Sequence, residues 1–201
     1  MTDTMMTGHM AILRDLIDER CIQRGNFILA SGAMSNFYID VRKLFTGSAM
    51  FGIGHAFWRT LFYPVKEFDA IGGMEVGAVP LTAAFLAYAH QIDRERAKKI
   101  EGFYVRQQPK PHGTCKLIEG NLKPFSKCVV IEDVTTTGGS ALKAVEALEA
   151  EGHTVVHVCT LIDRSTELSP KLLKYGFSSV FTLKDFGLEE PKPEPQPAPE
   201  G

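Results

Sequence analysis

Apolar residues along this chain fall into two alternating textures. From Met10 to about Arg24, residues Ile12, Leu13, Leu16, Ile17 and Cys21 recur at helical spacing, charged residues fill the other face, and Gly25 follows as a stop. Phe27–Leu29 and Phe37–Val41 read as short strands around a Ser31-Gly32 turn, and a helix is expected from Ser48 to Phe62, before Pro64. Then the texture changes. Phe68–Ile71 is a short apolar run closed by Gly72-Gly73, followed by a loop at Met74–Gly77 and an Ala-rich helix from about Val79 to Gln91. Phe103–Val105, Cys128–Ile131, Val155–Ile162 and Val180–Leu183 read as further strands. Leu142, Val145 and Leu148 share one face of a helix that starts after Gly138-Gly139 and ends before Gly152. The stretch from Arg106 to Gly120 has no period and is rich in Lys, Pro, Gly and Gln, so it reads as a long loop.

Continuous apolar strands alternating with helices predict an α/β fold, a parallel sheet covered on both faces. The 201 residues suit one domain, here about 10–188, with a small N-terminal unit at about 10–45. Residues 1–9 are polar, lack the apolar segment of a signal peptide and are expected to be disordered. The segment 189–201 carries five of the eleven prolines at every second position and is expected to be a flexible tail.

Composition narrows the function by exclusion. A chain this long buries roughly 70% of its unfolded surface, so it needs neither disulfide nor zinc to hold a core. The four cysteines, Cys21, Cys115, Cys128 and Cys159, show no metal-site spacing and read as reduced thiols. A net charge of −2 without a basic run argues against nucleic acid, and no apolar stretch approaches the roughly 20 residues of a membrane span. A soluble, cytoplasmic protein is expected.

The chemistry concentrates in Val129–Ser140, a buried strand ending in Glu132 and Asp133, then Val134 and the turn Thr135-Thr136-Thr137-Gly138-Gly139-Ser140 leading into a helix. Ligands of open α/β sheets bind beyond the carboxyl ends of strands. The turn offers backbone N–H groups, hydroxyls and a helix N-terminus, which suit a phosphate. The spacing is neither that of a Walker A loop nor of a dinucleotide fingerprint. Two acids beside a phosphate cradle suit sugar hydroxyls, or a cation developing on a sugar.

This segment resembles the phosphoribosyl pyrophosphate (PRPP) signature of type I phosphoribosyltransferases. Four other segments are similar to the orotate phosphoribosyltransferase branch: Arg106-Gln107-Gln108-Pro109-Lys110-Pro111-His112-Gly113 with Leu117–Gly120, Ser31-Gly32 with Asn36–Asp40, Ile71–Leu81, and Asp163-Arg164. The match runs in family order from about residue 10 to 185. It implies a type I phosphoribosyltransferase-like parallel sheet flanked by helices, with a small N-terminal hood. It also implies Mg2+-dependent displacement of pyrophosphate from PRPP by orotate, giving orotidine 5'-monophosphate. By resemblance Arg106, Gln107, Lys110, His112, Glu132, Asp133, Val134, Thr135, Thr136, Thr137, Gly138, Gly139 and Ser140 contact PRPP. Among these, Arg106, Lys110, His112, Glu132 and Asp133 are the catalytic candidates, and no protein metal ligand is assigned. Thr136, Arg164, Tyr38 and Ile39 are the orotate candidates, Arg164 answering the carboxylate. A homodimer with shared active sites is implied.

The chain departs from the family pattern at Gln107, Ala30 and Val76, where many members carry lysine. Gln107 removes a cation from the loop, so weakened rather than abolished catalysis is expected. A phosphoribosyltransferase for a different base, or a non-catalytic PRPP-binding regulator of the same fold, is the alternative reading.

Overall fold

The computed structural model describes residues 3–28, 34–109 and 116–189. Helix α1 (Asp3–Arg20) leads into the antiparallel hairpin β1 (Ile22–Ile28) and β2 (Met34–Ile39). A 3-10 turn (Val41–Leu44), capped by the Asp40 carboxylate accepting from the Arg42 N–H, joins this hood to α2 (Gly47–Phe62). There follow β3 (Ala70–Met74), α3 (Ala78–Ile92), the one-turn α4 (Arg94–Ala97), β4 (Glu101–Val105) and β5 (Ile118–Gly120). The second half comprises β6 (Lys127–Thr135), α5 (Gly139–Ala150), β7 (Thr154–Asp163), the short α6 (Pro170–Leu173) and β8 (Phe177–Thr182). A second 3-10 turn (Leu183–Phe186) carries a reciprocal Thr182–Asp185 capping box.

The strands β3 to β8 form one sheet in the order β5-β4-β3-β6-β7-β8, parallel throughout except for β5, which runs antiparallel to β4. Strand alternation splits the core in two. Val129 and Ile131 of β6 face α1, α2 and α3, joined by Ile71, Cys159 and Leu161. Cys128 and Val130 face the other way, onto Ala141, Ala144, Val145 and Leu148 of α5. Helices α2 and α3 cross closely because α2 has Gly54 at the crossing, where a Cβ would meet the Tyr88 Cβ at 2.6 Å. The chain leaves β3 toward β4 on one side and returns to β6 on the other. The order therefore reverses between β3 and β6, which opens a crevice at their carboxyl ends.

The α/β class, the hood and the flanking helices match the expectation, with corrections. Residues 3–9, expected to be disordered, belong to α1, and that helix stops at Arg20 rather than Arg24. Gly25, read as the helix stop, instead lies within β1 at φ 152°, where the pairing register with β2 shifts. Gly72 and Gly73 do not close β3 but lie inside it. A Cβ on either would collide with a carbonyl oxygen of the neighbouring strand, Phe103 or Ile131. The sheet is mixed, not wholly parallel, because 118–120 forms the edge strand β5 instead of continuing the loop. Cys21, Cys128 and Cys159 are buried free thiols, and burial pushes Cys128 and Cys159 up to about 12. Among the described residues no helix is long and apolar enough to cross a membrane. The tail from 190 onward lies outside the described residues.

Candidate active site

Two adjoining cavities occupy the crevice between the ends of β3 and β6. One, of about 330 Å3, is lined by Met74, Glu75, Gly77, Gln107, Gln108, Glu132, Asp133, Ser140 and Lys143. The other, of about 260 Å3, lies over the turn from Val134 to Ser140 and shares Glu132, Ser140 and Lys143 with the first.

The acids sit here because β6 runs on to Thr135, past the apolar run that made it legible. Alternation sends Asp133 toward α3 and Glu132 toward α5. Gly77, just before α3, makes room for Asp133: a Cβ there would come within 2.8 Å of its carboxylate. Asp133 Oδ1 accepts from the Val134 N–H at 2.8 Å. Glu132 is 6% exposed, and its Oε2 has no partner among the described residues. Burial first, and the Asp133 charge second, push its carboxyl up to about 8.

The turn after the acids is braced from behind and open in front. The Thr135 carbonyl accepts from the Arg164 N–H at 2.9 Å, and the Thr137 carbonyl from the Ser169 N–H at 3.2 Å. Gly138 has φ 83°, and a Cβ there would collide with Leu172. A bulkier residue would both strain the backbone and push the turn off α6. Thr136, Thr137, Gly139 and Ser140 are exposed, while Thr135 is buried with its hydroxyl unpartnered among the described residues. No side chain caps α5 and no acid lies in its first turn, so its N–H groups remain available to an anion.

The other wall comes from the loop after β3 and the end of β4. Glu75 ties them together: its N–H donates to the Val105 carbonyl at 2.8 Å, and its Oε1 accepts from the Gln107 N–H at 3.1 Å. Arg106 lies beside the cavity, its Nη1 3.9 Å from Glu119 and its Nε donating to the Gln108 carbonyl at 3.3 Å. Lys110 and His112 lie outside the described residues.

Of the orotate candidates, Thr136 and Arg164 follow directly on Thr135 and Asp163, which pair across β6 and β7. The Arg164 guanidinium is buried at 9% exposure and stacks 4.9 Å from the Phe37 ring centre, linking the hood to the sheet. Tyr38 and Ile39 point to opposite faces of β2. Tyr38 is 39% exposed, Ile39 lies in the core at 8%, and neither lines the two cavities.

Sequence reasoning missed Glu75 and Lys143. Glu75 was legible as the acid ending a strand; Lys143 lies three residues beyond Ser140 on α5, where it reads as a solvated helix charge. Glu75, Asp133 and the buried carboxyl of Glu132 line the larger cavity together with one ammonium, Lys143. Among the described residues, no three His, Cys, Asp or Glu side chains converge to cage a metal. The carboxylate oxygens of Glu75 and Asp133 are donors of the kind a hard divalent cation such as Mg2+ takes alongside substrate oxygens.

Residues 53–191 match the phosphoribosyl transferase domain. Orotate phosphoribosyltransferase of Rhodopirellula baltica is 39% identical over 189 residues, spanning 90% of this chain and 95% of its own. A crystal structure of the Mycobacterium tuberculosis orotate phosphoribosyltransferase superposes with a TM-score of 0.75 at 31% identity, covering 90% of this chain and 99% of its own. The same enzyme in complex with 5-phospho-α-D-ribosyl 1-diphosphate superposes with a TM-score of 0.71 at 29% identity and the same coverage. With 39% identity to a curated relative over nine-tenths of its length and a match to the family's domain, the chain belongs to the orotate phosphoribosyltransferase family.

Proposed function

We propose that the crevice between β3 and β6 binds PRPP and that the chain transfers its phosphoribosyl group to orotate, yielding orotidine 5'-monophosphate and pyrophosphate, a step of pyrimidine biosynthesis. One observation carries this reading: an acid pair at the end of β6 adjoins an open phosphate turn, at the strand-order reversal where α/β sheets bind ligands.

The 5'-phosphate sits against the N–H groups from Thr135 to Gly139 and the hydroxyls of Thr137 and Ser140. Protonated Glu132 donates to a ribose hydroxyl while Asp133 accepts from its neighbour. The bond from ribose C1 to pyrophosphate breaks ahead of bond formation to orotate N1, and the electron pair leaves with pyrophosphate. Asp133 then faces positive charge growing on the ring, a fixed charge that needs no reorganisation. Orotate enters as a carboxylate anion, and its N1 proton passes to solvent as the bond to C1 forms, so no strong general base is required. Glu75 and Asp133 would hold a Mg2+ ion that arrives with PRPP, and the ion would supply positive charge against the phosphates. Arg106, Lys110 and His112 act on the departing pyrophosphate, and Thr136, Arg164, Tyr38 and Ile39 bound the orotate site, with Arg164 meeting the carboxylate. The enzyme acts in the cytoplasm as a homodimer in which Arg106 and Lys110 serve the neighbouring subunit's site.

Turnover with Mg2+ and PRPP against orotate, adenine, hypoxanthine and uracil tests the reading. Orotate should be preferred, and faster turnover of any other base would overturn it. Mixing Lys110→Ala with Asp133→Asn protein should recover activity through hybrid dimers. Absence of recovery despite subunit exchange would refute the shared site.

A further inference from the structure

We propose that Lys143 contacts the pyrophosphate of PRPP and takes up part of the leaving-group charge. The inference rests on the PRPP reading of the crevice and concerns a residue to which that reading gives no role.

Lys143 lies one turn beyond Ser140 on α5, so the two share a helix face. Helical side chains lean toward the N-terminus, which directs the Lys143 stem back over Ser140 and the cavity. Lys143 lines both the space over the phosphate turn and the space walled by Glu75, Gly77 and Gln107. Among the described residues it is the only cation that lines either. It is exposed and has no ion-pair partner among them. Arg106, the nearest alternative by sequence, is directed instead to Glu119 and the Gln108 carbonyl.

The two ends of PRPP differ in what they lack. The 5'-phosphate has backbone N–H groups and the positive end of α5. The cavity left for the pyrophosphate end has Glu75 and the neutral Gln107 and Gln108 on one wall and Asp133 on the other. That end also gains negative charge as the C1 bond breaks. A mobile ammonium reaching it from α5 is more valuable there than beside a phosphate already served by the turn. The competing role is a helix-surface charge opposite Glu146, three residues on, which borders a neighbouring cavity with Lys143. No ion pair joins them among the described residues.

Two fragments of PRPP separate these roles. Inorganic pyrophosphate with Mg2+, and ribose 5-phosphate alone, are titrated into the full-length protein and its Lys143→Gln and Lys143→Arg variants. Glutamine keeps most of the stem and the helix propensity, so its effect reports the charge. Lys143→Gln should weaken pyrophosphate about tenfold and leave ribose 5-phosphate within about twofold. Lys143→Arg should restore pyrophosphate to within about threefold of wild type. In turnover, kcat/KM for PRPP should fall with KM for orotate unchanged. Pyrophosphate affinity unchanged in Lys143→Gln, or loss confined to ribose 5-phosphate, overturns the proposal. Neither titration contains orotate, so failure of wild-type protein to use orotate would count against the proposed reaction and not against Lys143.

Discussion

The two walls of the crevice are built on different foundations. The acid pair and phosphate turn extend from β6, which has β3 on one side and β7 on the other and buries apolar side chains on both faces. The opposite wall comes from the loop after β3 and the end of β4, beside the three-residue edge strand β5. One wall is fixed by the core; beyond the end of β4 the other is held by the Arg106–Leu117 backbone bond, the Gln107–Glu75 bond and a 3.9 Å Arg106–Glu119 pair. Groups that must be oriented before the reaction therefore sit on an interior strand. In the proposed reaction Arg106, which acts as pyrophosphate departs, follows directly on β4 and lies outside both core clusters.

The largest test of this division is Asp133→Asn. It removes the fixed charge facing the ring and should lower kcat by about 10²-fold or more with little change in melting temperature. Turnover close to wild type would show that the interior wall does not carry the chemistry. Next comes Arg164→Ala, which strips a charge-assisted hydrogen bond and should raise KM for orotate about ten- to a hundredfold. The PRPP KM should stay near wild type, and a parallel rise would indicate loss of the hood contact through Phe37 instead.

A third test reads protons rather than rates. The Glu132 carboxyl is held at about 8 against an ordinary 4.5, so the folded ligand-free protein keeps a proton that the unfolded chain has lost. The folded state binds more protons over that interval, so stability contributed by this group is complete below about pH 4.5 and declines as pH rises toward about 8. Glu132→Gln should flatten that decline in the melting temperature of ligand-free protein while lowering turnover. An unchanged slope would remove Glu132 as its source. The smallest effect is expected on the outer wall: Gln107→Lys should raise turnover about two- to fivefold if a missing cation limits departure of pyrophosphate. A tenfold loss would mean that the Gln107 region is as rigidly matched as the turn.

The same division explains what the sequence made legible. Val129 to Ile131 announced a buried strand, and Glu132-Asp133 before a Thr/Gly turn marked the crevice at its end, because every group there is placed by local backbone and core packing. β5 was invisible because three residues give no period; pairing with β4 defines it. Gly72-Gly73 read as a stop, since nothing local reveals that β3 needs them to lie against its neighbours. Residues 3–9 lack an apolar stripe, and their helix is continuous with the packed turns that bury Leu13 and Ile17. Lys143 escaped notice because a lysine on the polar face of an amphipathic helix is ordinary until the fold brings that face over a cavity.

The antiparallel pairing of β4 with β5 also bears on how such an enzyme can be remodelled. The connection between these two strands can be lengthened, shortened or exchanged without touching the ladders that join β4 to β3, β3 to β6 or β6 to β7. Grafts between Arg106 and Leu117, whose backbone N–H and carbonyl meet at 2.9 Å, should leave the fold unchanged while altering how fast product escapes. That closure is a natural seam for recombination, whereas a cut between Glu132 and Ser140 would sever the scaffold along with the site.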